Sequence, residues 1–110
     1  MAMDLAEEAY RLTHVLPAAE IYGMASQIRR SSASIPANIA EGYGRETTGA
    51  YVQFLRTARG SLKELETHIL LAERVGLVEP ASSAPILKRA EDIGRMLNAL
   101  IKSLRSRQQG

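Results

Sequence analysis

Apolar residues recur along this chain at alternating steps of three and four, the interval that returns side chains to one face of an α-helix. The first stripe is Leu5, Ala9, Leu12 and Leu16, and it predicts a helix from about Met3 to Leu16, closed by Pro17. The second is Ile21, Ala25, Ile28, Ser32, Ile35 and Ile39, predicting a helix over about Ala19–Tyr43 that Gly42 and Gly44 end. Pro36 falls inside it, removes one backbone donor and crowds the carbonyl a turn earlier, so a kink or short break is expected near Ser34–Pro36.

The third stripe, Tyr51, Leu55, Ala58, Leu62, Leu65, Ile69 and Ala72, is unbroken and predicts a helix from about Thr48 to Val75. Thr47 or Thr48 can cap its start, and Gly76 can close its end in the left-handed conformation. The fourth, Ile86, Ala90, Ile93, Leu97, Leu100 and Leu104, predicts a helix over about Ala84–Arg105. Ser82 or Ser83 is its expected cap, with Pro85 tolerated in the first turn. No segment alternates with the two-residue period of a strand. Four amphipathic helices joined by short Pro-, Gly- or Ser-containing links imply an all-α fold, an antiparallel four-helix bundle, with Leu62, Leu65, Ile93 and Leu97 in the core.

Length sets the scale: 110 residues make one domain and leave little room for a second, so residues 1–110 are read as a single bundle. The apolar residues are mostly Leu and Ala, which lose little side-chain entropy in helices. The chain has no cysteine, which excludes disulfides, thiolate catalysis and Cys-type zinc sites and fits a reducing cytoplasm. The longest apolar run is Ile69–Ala72, too short to span a bilayer, and the acidic start MAMDLAEEAY has no apolar signal core. No membrane role and a cytoplasmic location are therefore expected.

Net charge is only +2, but it is unevenly spread. Arg29, Arg30, Arg45, Arg56, Arg59 and Lys63 face only Glu41 and Glu46 within their stretch, giving it +4. A basic tail over about residues 102–110 adds Lys102, Arg105 and Arg107. Basic middle and tail on an otherwise acidic chain suit a polyanionic partner, RNA or DNA; solvated surface charge is the plainer alternative. Arg56, Arg59 and Lys63 fall at steps of three and four and form a basic ridge, for which Glu41, Glu46 and Glu66 are the nearest acids to hand. A polar flank of Gln27, Arg30, Ser34, Asn38, Glu41 and Arg45 runs beside the second stripe. Its Gln27, Asn38 and Glu41, with Glu66 of the third helix, are candidates for polar contacts between helices or subunits. Phe54, Ser61, Leu70 and Leu71 flank the third stripe and suggest a second seam, hence a homo-oligomer.

Catalytic chemistry finds little to stand on. The two histidines, His14 and His68, do not form the Glu-x-x-His pairs of a di-iron bundle; Glu64 and His68 share a face as an ordinary helix pair. Ser31, Ser32 and Ser34 have no neighbouring histidine, and the glycines at 42, 44 and 49 do not make a phosphate-binding loop. No catalytic residue, no metal and no cofactor are expected. A small helical enzyme of the mutase type, with Arg30, Glu41, Arg59 and Glu66 in a pocket, is the weaker alternative.

The stretch YGMASQIRRSSASIPANIAEGYGR, residues 22–45, resembles the signature of the bundle proteins first noticed as products of intervening sequences in bacterial large-subunit ribosomal RNA genes. LTHVLP at 12–17, FLRTARGSLKELETHILLAERVGLV at 54–78 and IGRMLNALIKSL at 93–104 match as well. Two features depart from the pattern: the first helix is short, without an aromatic pair near its start, and Met24–Ala25–Ser26 stands where Leu-Thr-Ser is common. The resemblance implies a four-helix bundle, assembly into a five-subunit ring, and kinship with the basic accessory proteins of diversity-generating retroelements, which associate with nucleic acid and a reverse transcriptase. It implies no catalytic residue. Pattern and resemblance together lead us to expect a non-enzymatic homo-oligomer that contacts phosphates through Arg29, Arg30, Arg45, Arg56, Arg59 and Lys63; a scaffold that binds only protein is the alternative.

Overall fold

A computed structural model describes residues 1–109. It contains α1 (Ala2–Thr13), a short 3₁₀ turn (Ala18–Glu20), α2 (Met24–Tyr43), α3 (Thr48–Arg74) and α4 (Pro80–Gln109). Each helix packs on the next in sequence and α1 closes the ring against α4, with the broadest contact between α2 and α3. Neighbours run antiparallel, as the short links require. The result is the expected four-helix bundle, 50 Å long and about 20 Å across. Among the described residues no helix is long and apolar enough to cross a membrane.

The stripes of α1 and α3 enter the core nearly as read. Leu5, Ala9 and Leu12 are buried, as are Leu55, Ala58, Leu62, Leu65, Ile69 and Ala72, with Val52 joining them. Three details differ. Ile21 is 49% exposed, because residues 18–20 form the 3₁₀ turn that redirects the chain before α2 begins at Met24. In α4 the core register passes from Leu97 to Ile101 and Leu104, leaving Leu100 36% exposed; a step of four replaces the expected step of three. The helix also starts four residues early, at Pro80, where the missing amide proton is harmless. Ser83 therefore lies inside it rather than capping it. Its buried hydroxyl donates to Glu73 Oε2 at 2.6 Å, tying the start of α4 to the end of α3.

Helix ends obey local rules. Thr47 Oγ1 accepts from the amide of Ala50 at 3.1 Å and caps α3. Gly76 takes φ 82°, and the amide of Leu77 returns to the carbonyl of Ala72 at 2.8 Å, a left-handed closure that favours glycine. α2 runs through Pro36 without the short break considered from sequence. Pro36 removes the donor that would reach Ser32, the ground for the expected kink. Nearby, the Ser31 and Ser32 hydroxyls bond carbonyls of their own helix, those of Gln27 at 2.7 Å and Arg29 at 3.0 Å. The residues from Lys102 to Gln109 are the last turns of α4; Gly110 lies outside the described residues.

Two glycines test the packing in opposite directions. A Cβ on Gly42 would sit 2.7 Å from Phe54 Cβ, so α2 and α3 approach too closely there for any side chain. Gly60, exposed in mid-α3, has open space where its Cβ would go. Gly60→Ala should gain about 1 kcal/mol from helix propensity, whereas Gly42→Ala should lose roughly 1–3 kcal/mol through overpacking, both read by urea denaturation. Leu65, fully buried, should cost about 2–5 kcal/mol when cut to Ala in the same assay.

Candidate nucleic-acid interface

The bundle distributes the six basic residues over three faces instead of gathering them. Arg29, on the α1 side of α2, donates from Nε to Thr13 Oγ1 at 2.9 Å and lies 5.8 Å from the centre of the Tyr10 ring. It pins α1 to α2. Arg30 bonds Gln27 Oε1 at 2.7 Å and pairs across to Glu64 on α3. Arg45 pairs with Glu41 one turn back and stacks 4.8 Å over the Phe54 ring. All three guanidiniums are committed within the fold.

The polar candidates find most of their partners inside one subunit, with Glu66 Oε1 buried and making no hydrogen bond. Asn38 donates from Nδ2 to the carbonyl of Ser34 at 2.8 Å and to its hydroxyl at 2.9 Å, and Ser34 meets Ser61 of α3 at 2.8 Å. Gln27 serves Arg30, and Glu66 Oε1 stands 3.3 Å from Lys63 Nζ. Of the acids expected to answer the ridge, Glu66 does so through Lys63, while Glu41 answers Arg45; Glu64, not singled out for this, holds Arg30.

Arg56, Arg59 and Lys63 do share one side of α3, the side that leads to α4. There Arg59 Nη1 donates to Asn98 Oδ1 at 2.9 Å. Arg59, Asn98, Lys102, Arg105, Ser106 and the buried Ile101 line a groove of about 350 Å³ between the two helices. No carboxylate lines it. Among the described residues none of Arg56, Arg59, Lys102 or Arg105 pairs with a carboxylate. Like charges confined to one groove raise the local positive potential and attract anions. Two donors, Asn98 and Ser106, were missed from sequence; Asn98, Lys102 and Arg105 recur at steps of four and three, a signal that pairing α3 with α4 would have brought out.

The arrangement offers little for acid–base or nucleophilic work. Ser31 and Ser32 are buried and bonded to backbone, and Ser34 faces Ser61. His68 Nε2 lies 3.7 Å from Glu64 Oε1, the helix pair that the spacing gave. Among the described residues no three His, Asp or Glu side chains are grouped to hold a metal ion. The quartet imagined for a mutase is dispersed: Arg30 bonds Glu64, Glu41 bonds Arg45, Arg59 bonds Asn98 and Glu66 approaches Lys63.

Comparison with known proteins agrees with this architecture. A crystal structure from Bacteroides thetaiotaomicron VPI-5482, described as a protein with unknown function from the S23 ribosomal protein family, superposes with a TM-score of 0.84. It is 25% identical, and the match covers 92% of this chain and 94% of that one. No curated protein matches the chain. Residues 1–99 match the model of the 23S rRNA-intervening sequence protein family, and the chain belongs to that family.

Proposed function

We propose that the protein is a non-enzymatic, homo-oligomeric bundle that binds RNA or DNA through backbone phosphates in the α3–α4 groove. The observation that carries this reading is the lining of that groove: Arg59, Lys102 and Arg105 converge with Asn98 and Ser106 and no carboxylate. Arg56, one turn before Arg59, extends it along α3, whereas Lys63 stands beside Glu66. Arg29, Arg30 and Arg45, which bind partners inside the subunit, are left out of the contact set. The groove lacks aromatic side chains on which bases would stack, so contacts to phosphate without strong sequence preference are favoured. An oligomer repeats the groove, and several weak contacts then combine as avidity. The family's description as 23S rRNA-intervening sequence proteins makes RNA the first ligand to try.

A scaffold reading rests on a different observation, the internal pairing of half of the basic residues. Salt separates the two. Three phosphate contacts should weaken duplex binding by roughly forty-fold between 50 and 200 mM salt, following a slope of about −0.9 per contact. Fluorescence anisotropy against random RNA and DNA is the measurement. Changing Arg59, Lys102 and Arg105 together to Glu should abolish binding, whereas changing Arg45 to Glu should leave it within about threefold of wild type. Equal behaviour of wild type and triple variant would replace this proposal with the scaffold.

A further inference from the structure

The bond from Arg59 Nη1 to Asn98 Oδ1, 2.9 Å long, is a bar across the α3–α4 groove from one helix to the other. It also fixes the register of the pair. Asn98 stands beside Arg59, and Gln108 lies so near Gly49 that a Cβ there would be 3.2 Å from its Nε2. The two antiparallel helices therefore run side by side for roughly 15 Å on that side of the bar. Gly49 is the second residue of α3 and Gln108 the last but one of α4, so the groove opens there off the end of the bundle.

Charge differs on the two sides of the bar. On the open side lie Lys102, Arg105 and Ser106, with Arg56 one turn from Arg59. Beyond the bar Lys63 is 3.3 Å from Glu66, and Arg95 is held by Glu91 at 2.7 Å and by Asp92. The cations there are neutralised, and in the same register Glu66 of α3 comes level with Glu91 of α4. A polyanionic strand that followed the groove past the bar would exchange free cations for carboxylates. Its favourable path ends at the bar.

What meets the strand there is a set of donors. Arg59 can only donate, so Asn98 gives it the amide oxygen and keeps both Nδ2 protons for a ligand. The engaged oxygen also keeps Asn98 from reading adenine, which takes donor and acceptor together. Lys102 and Arg105 are donors that cannot accept, and the Ser106 hydroxyl can do either. An internal phosphodiester brings one charge and two free oxygens, and its strand needs an exit on both sides. A terminal phosphomonoester brings three free oxygens, a charge of about −1.5 to −2 at pH 7 and a single ester link.

We infer that the groove takes the phosphorylated end of a nucleic-acid strand. The terminal phosphate sits against Arg59 and Asn98, and the phosphates that follow sit on Arg56, Lys102 and Arg105. Asn98 to Arg105 spans roughly 10 Å of helix, room for about three phosphates of one strand of a duplex. The inference rests on the phosphate-binding reading and adds to it the requirement for an end.

The test uses RNA of one sequence, labelled on an internal base, in four forms: with a 5′-phosphate, with a 3′-phosphate, with hydroxyls at both ends, and closed into a circle. Anisotropy at about 50 mM salt should show a phosphorylated form bound about tenfold more tightly than the hydroxyl form and the circle. Which phosphorylated form gains identifies the end that enters, and equal gains mean that either end does. The circle holds as many phosphates as either phosphorylated form, so a gain over it reports an end and not added charge. A circle that binds as tightly as both phosphorylated forms would overturn the inference and leave the phosphate-binding reading standing. Binding of none of the four would sink that reading, and this one with it. Asn98 is exposed, so Asn98→Ala should keep the helical circular dichroism of the parent while the preference for a phosphorylated end falls below about twofold. Arg45→Glu, outside the groove, should retain the preference. A preference intact in Asn98→Ala, or lost equally in Arg45→Glu, would remove the bar from the explanation and refute the proposed site.

Discussion

The close approach of α2 to α3 is the constraint on which the other contacts depend. Gly42 lies so near Phe54 and Tyr51 that a methyl group has no place, and Ser34 reaches Ser61 across the same seam. Small residues let two backbones come near, and the leucines of α3 then fill the space behind them. Ile28 and Ile35 of α2 and Leu62 and Leu65 of α3 are all fully buried. The Ser34, Ser61 and Asn38 groups of this seam bond one another, which offsets the cost of burying them, while His68 Nε2 is buried without a hydrogen bond. The remaining two helices lean on this pair: α4 on α3 by way of Gly94 against Leu62, and α1 on α2 by way of Arg29.

Much of this was legible in the chain because helices are local. The run from Tyr51 to Ala72 keeps one stripe over six helical turns, and nothing in the fold overrides it. Thr47 and Gly76 act as the caps that their chemistry suggests. The errors occur where tertiary packing chooses between local options. Leu97, Leu100, Ile101 and Leu104 permit two registers, and contact with α3 selects the one through Ile101. Pro80 and Pro85 each offer a first turn, and the hydroxyl of Ser83 against Glu73 comes with the earlier one. Ile21 belongs to the stripe by spacing, but the 3₁₀ turn ahead of α2 takes it out.

The candidate site was less legible, for a physical reason. A count of charges along a sequence cannot tell a cation held by an internal carboxylate from one open to a ligand. Arg30 and Arg45 look in sequence like Arg56 and Arg59. Arg45 has Glu41 one turn back, a pair its spacing allowed, but Arg30 differs only because Glu64 of α3 stands beside it in space. The pairing of α3 with α4 brings Arg59 beside Lys102 and Arg105, more than forty residues later in the chain. Helix periodicity predicts each face separately, and the groove exists only between two faces.

The thinning of buried contacts along α4 has a consequence for motion. Near Arg89 the section of the bundle holds four helices, with α1 bonded to α4 through Glu8 at 2.8 Å. Past Leu104, Arg105 to Gln108 of α4 are all exposed. Buried contacts per turn fall along α4 in that direction, and with them the free energy needed to open a turn locally. A single chain of this shape opens from one end: amide protons near Ser106 exchange through small fluctuations, while those near Ile93 wait for the whole bundle to unfold.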